Sequence, residues 1–152
     1  MLAGIVQCSR IGTGFLLLLV GACAGFSPSD SPLPALAVRV DAPDQYRSWF
    51  ESTAACSGLD GEFQAIEWYV VPGADQFVVD GAPRVGMWQR VGGRSQIVVA
   101  GNYTGHEMVV RHEMLHHLLG REGHPSEIFV NRCQLTWESW AGRGAVRLAI
   151  TH

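Results

Sequence analysis

The stretch VVRHEMLHHLLGREGHPSEIF, Val109–Phe129, carries four of the six histidines of this 152-residue chain. His112 and His116 stand four apart, and Glu113 directly follows the first. On a helix that spacing stacks two side chains on one face, one turn apart and about 6 Å along the axis. Two imidazoles so placed can converge on a single ion, with Zn–N distances of about 2.0–2.1 Å. Glu113 then lies beside the open coordination position. A carboxylate there can take a proton from an activated water without being a ligand itself.

Two histidines leave an ion under-held, because zinc sites with an open position usually take three protein ligands. His124 is the expected third: the helix pattern ends near Gly120, and a short turn brings the chain back. Glu127 and Glu138 are the rivals, the latter as a carboxylate from a later helix. His117 falls beside the ligand face and reads as a supporting or surface residue. His106 and Glu107 begin the helix, as capping or solvent-facing groups. Tyr103, just before it, reads as loop, with oxyanion stabilisation the sharper alternative. The tryptophans at 49, 68, 88, 137 and 140 read as core.

The elements that must position this helix follow from periodicity. APDQYRSWFESTAAC has apolar residues at Tyr46, Trp49, Phe50 and Ala54, a helical spacing behind Pro43 and Asp44. Short β-type runs come next, FQAIEWYVV, QFVV, RVGMWQR and SQIVVAG, separated by PGAD, DGAP and the Gly92-Gly93 pair. The motif helix, roughly His106 to Leu119, follows GNYTG. SEIFVNRCQLTWESW suggests a further helical stretch carrying Cys133, and the tail from Ala141 is either a terminal strand or disordered. The expected fold class is α+β: an N-terminal helix, a short mixed β-sheet, the HExxH helix and a C-terminal helical segment. The domain is expected to span 38–152.

HEMLH on a helix behind a strand-rich segment, with a candidate ligand soon after, resembles a small zincin-type metallopeptidase. The strict metzincin pattern H-E-x-x-H-x-x-G-x-x-H is not met. In HEMLHHLLGREGH the glycine comes one residue late and His124 two residues late, and no Met-turn is evident. The resemblance implies Zn²⁺ as cofactor and a peptide or protein substrate. It also implies that an extended peptide lies along a strand edge, for which SQIVVAG is the candidate. A zinc-dependent peptide hydrolase with Glu113 as general base is therefore the leading expectation. A non-catalytic zinc-binding envelope lipoprotein is the alternative, and an interaction module without metal is the weakest reading.

Composition narrows the partners. All eleven basic residues are arginines, scattered along the chain, and the net charge is −3, so no basic run follows a phosphate backbone. The N-terminus has Arg10, an apolar core from Gly14 to Val20 and then VGAC. That run is shorter than the roughly 20 apolar residues a bilayer span needs and reads as an export signal. The expected organisation is a signal peptide over 1–22, lipidation at Cys23, and a Ser/Pro-rich linker over 23–37. This places the protein in the cell envelope on a lipid anchor. A secreted form cut after Ala37 ranks second and an uncleaved anchor third. With Cys8 removed and Cys23 lipidated, Cys56 and Cys133 remain, an even pair that reads as a disulfide in an oxidising compartment. That bridge is expected to pin the loop carrying His124.

Overall fold

The computed structural model describes residues 33–141. The signal peptide, Cys23 and the tail beyond Ala141 lie outside those residues, as does most of the linker. Strand β1 (Val38–Val40) opens the domain and helix α1 (Gln45–Ser57) follows. The strands β2 (Ile66–Val71), β3 (Phe77–Val79), β4 (Ala82–Arg84), β5 (Gly86–Val91) and β6 (Arg94–Ala100) come next. Helix α2 (Glu107–Leu119) carries the histidine motif, and a π-helical turn occupies Glu127–Arg132. The α+β class holds. Among the described residues no helix is long and apolar enough to cross a membrane.

Four strands form one mixed sheet in the order β1-β2-β6-β5, while β3 and β4 make a separate hairpin. β6 runs parallel to β2 and antiparallel to β5. Successive side chains alternate between the faces of a sheet. Ile66, Trp68, Trp88, Ile97 and Val99 accordingly share one core with α1 and α2. Val71, Met87, Val98 and Ala100 share the other with Phe77 and Val79 of the hairpin. Ile97 to Ala100 are covered on both faces, at 0–1% exposure, which is why that run is continuously apolar.

This corrects one expectation. SQIVVAG is an interior strand and offers no free edge; the edge beside α2 belongs to β5. The helical stretch expected to carry Cys133 is interrupted at that residue. The π-helical turn stops at Arg132, Gln134 adopts a left-handed φ of 54°, and helix resumes only over 137–141. Cys133 sits in the break, bonded to Cys56 at the last turn of α1 with a Cα–Cα distance of 5.2 Å.

Candidate metal centre

α2 ends where Gly120 takes a left-handed φ of 65° and donates its N–H to the His116 and His117 carbonyls. Gly123, at φ 92°, turns the chain again. Both values suit glycine and few other residues. The two turns return His124 over the helix, where its Nε2 lies 2.9 Å from His112 Nε2 and 3.2 Å from His116 Nε2. Four-coordinate nitrogens at zinc distance stand about 3.3 Å apart, so this spacing is close to a ligand cage. Among the described residues this is one group of ligating side chains near enough together to hold an ion.

The protonation pattern fits the same purpose. His112 Nδ1 lies 2.6 Å from the Leu135 carbonyl, and His116 Nδ1 lies 3.2 Å from the Arg121 carbonyl. A carbonyl only accepts, so each Nδ1 carries the proton and each Nε2 turns a lone pair toward His124. Lone pairs so focused need a cation or a shared proton between them. Burial pushes the His116 pKa down to about 4, the like charge of His112 adding to it; burial also lowers that of His112. Both effects keep the imidazoles neutral, the form that ligates.

Phe129, 0% exposed, backs the cluster: its ring centroid lies 4.9 Å from each of the three imidazoles. The histidines open the other way, into a cleft of about 740 Å³ that Glu113, Gly86, Trp88 and Arg84 also line. Comparison with protein-family models, curated proteins and solved structures finds no match to this chain.

Glu113 is only 6% exposed. Burial pushes its pKa up to about 8, with Arg84 and the backbone amide of Trp88 pulling the other way. A side chain added at Gly86 would place its Cβ 2.6 Å from Glu113 Oε1. The glycine therefore lets β5 close against the carboxylate. Backbone direction along β5 follows from one bond: Ala100 N–H donates to Val85 O at 2.9 Å. In an antiparallel ladder, bonded and non-bonded pairs alternate. The peptide groups of Gly86 and Trp88 thus face away from β6, on the open edge.

The rivals for third ligand stand elsewhere. Glu127 is exposed and accepts a hydrogen bond from Asn131 at 2.9 Å, and Glu138 is exposed. His117 turns toward the sheet, its Nδ1 2.7 Å from Ser95 Oγ. His106 occupies the N-cap, yet its side chain makes no capping bond; the ring packs among Tyr103, Trp137 and Trp140. Tyr103 belongs to that aromatic group and not to the cleft wall. Trp68 and Trp88 are core as expected, whereas Trp137 is 54% exposed and lines the cleft. Sequence reasoning missed Leu135, Phe129, Gly86 and Arg84. Only Gly86 left a local trace, an isolated glycine inside a strand pattern, which signals close backbone approach.

Proposed function

We propose that the domain is a zinc-dependent peptidase that hydrolyses an extended peptide laid along β5. The observation that carries this reading is the juxtaposition on one cleft wall. Three convergent Nε2 atoms, a buried carboxylate one residue from a ligand, and the open edge of a strand all face the same space. Storage or structural binding of a metal has no use for the carboxylate or for the edge.

His112, His116 and His124 would hold the ion. Bound there, zinc supplies Lewis acidity toward water and a carbonyl oxygen and lowers the pKa of its water to about 7. The remaining roles belong to the chain. Gly86 offers its peptide N–H and C=O, and Trp88 its carbonyl, to a substrate backbone, while the Trp88 N–H stays with Glu113; this pairing fixes the register. Glu113 takes the proton of the attacking water and returns it to the leaving amine. A nearby cation favours the ionised carboxylate and opposes the burial that otherwise keeps it protonated.

The disulfide supports a workplace outside the reducing cytosol. We place the mature protein in the cell envelope, anchored through lipid on Cys23. Labelling with a fatty-acid analogue should mark the protein and lose the mark in Cys23→Ser; a mature N-terminus at Val38 excludes the anchor.

The test of the activity is Glu113→Gln assayed on a quenched-fluorescent peptide library with metal content measured in parallel. The variant should keep one zinc per chain and lose at least about 10²–10⁴-fold in turnover, the usual share of general acid–base catalysis. Loss of the metal would make Glu113 a ligand. Zinc uptake without cleavage by the wild-type protein would favour the non-catalytic zinc-binding lipoprotein.

A further inference from the structure

We infer that the Cys56–Cys133 bridge is a positioning part of the metal centre, so that disulfide and bound ion stabilise one another. The inference rests on the metal reading of the histidine cluster and is independent of hydrolysis.

The sequence suggested that the bridge pins the loop carrying His124; Cys133 itself lies in the segment that follows that loop. The bridge acts on that segment, behind the cluster. Cys133 is two residues from Leu135, whose carbonyl oxygen accepts the hydrogen bond of His112 Nδ1–H at an N···O distance of 2.6 Å. Cys133 N–H donates to Ile128 O at 2.9 Å and Leu135 N–H to Phe129 O at 2.7 Å. Phe129, Cys133 and Leu135 are therefore one closed unit, each at most 3% exposed. The only residue between the cysteine and the acceptor is Gln134, at a φ of 54° that side-chain-bearing residues adopt at a cost. The contacts of the segment, the bridge among them, offset that cost.

The other end of the bridge reaches the same helix through Arg111. Arg111 directly precedes His112, and its Nε donates to Thr53 Oγ1 at 3.0 Å. Its Nη2 lies 3.8 Å from Cys56 Sγ, and its Nη1 pairs with Glu107 at 2.7 Å. The last turn of α1 thus grips α2 beside His112 and, through sulfur, grips the strand of chain that orients the same imidazole.

Opening the bridge needs a reductant, here a thiol such as glutathione. Its thiolate attacks the more accessible sulfur, on Cys56, and expels the Cys133 thiolate, which takes a proton. A second thiol then resolves the mixed disulfide. The chain gains two electrons and two protons, and two thiols become one disulfide. What is lost at the centre is the fixed acceptor for Nδ1, a kind of outer contact whose removal typically costs 10–100-fold in metal affinity.

Two measurements test this on the mature chain. Zinc affinity is determined by competition with a chromophoric chelator, for the oxidised protein and for the Cys56→Ala/Cys133→Ala variant, which has no thiols to add as ligands. The dissociation constant should rise about 10–100-fold, with one zinc per chain and an unchanged far-ultraviolet spectrum. Linkage requires the reverse effect to be equal. In glutathione buffers, saturating zinc should move the midpoint for reduction of the wild-type bridge about 30–60 mV more negative. In His124→Ala zinc should leave that midpoint in place. If the double variant does not fold, the midpoint shift decides. Equal zinc affinities in folded protein, or a midpoint that stays or moves the other way, overturns the inference. Absence of zinc binding by the oxidised protein overturns the metal reading itself.

Discussion

Two hydrogen bonds decide which nitrogen each helix histidine turns inward, and the third imidazole of the cluster has no such guide. His112 and His116 are set by the Leu135 and Arg121 carbonyls. His124 is exposed, and among the described residues its Nε2 lies against the other two imidazoles. Its place is fixed by the backbone turns at Gly120 and Gly123. If the three nitrogens form the ligand set, His124→Ala should weaken zinc binding about as much as His116→Ala. Glu127→Ala and Glu138→Ala should leave it within about twofold, since both carboxylates are exposed away from the cluster. Isothermal titration with zinc separates these outcomes. Metal loss in either glutamate variant, with His124→Ala unaffected, would assign a two-His, one-carboxylate site.

The elements show what a linear reading can reach. α2 was legible because its determinants are local: the four-residue His spacing, the apolar residues between, and a left-handed glycine at its end. The strands were legible as runs for the same reason. Their order was not, because pairing is a long-range contact, although the unbroken apolar run in β6 is what burial on both faces produces. The same limit hid Leu135 and Phe129, which reach the site through the fold and carry no motif. β5 offers a direct test of the edge it forms. Gly86→Ala should displace Glu113, because the new Cβ would stand 2.6 Å from Oε1 and backbone on the strand side cannot easily yield. Peptide cleavage should fall at least tenfold while zinc stoichiometry stays at one. Overpacking of this kind costs about 1–3 kcal/mol, readable as a lower midpoint in urea. Full activity in Gly86→Ala would mean that the strand does not close on the carboxylate.

At the scale of the whole molecule the centre sits on the rim of two cores, and it places ionisable groups where neither core stabilises their charge. Stability of the metal-free protein should therefore depend on pH in two opposed ways. Glu113 has its folded pKa raised from 4.5 to about 8. The folded state holds a proton that the unfolded chain has released, so this contribution is complete below 4.5 and is lost as pH rises through 8. His116 has its folded pKa lowered from 6.5 to about 4, and burial shifts His112 and His117 the same way. Here the unfolded chain binds the proton first, so stability is complete above 6.5 and is lost as pH falls toward 4. Below 6.5 the three histidines outweigh the single glutamate; between 6.5 and 8 the glutamate acts alone. Chelator-treated protein should be most stable near pH 6.5. It should lose up to about 2 kcal/mol by pH 8, at about 1.4 kcal/mol per pH unit for one proton. Urea unfolding at a series of pH values reads this directly. In Glu113→Gln, which cannot titrate, the alkaline decline should vanish and the acid decline remain. A wild-type curve flat from 6.5 to 8 in the absence of metal would show that Glu113 is already ionised in the fold.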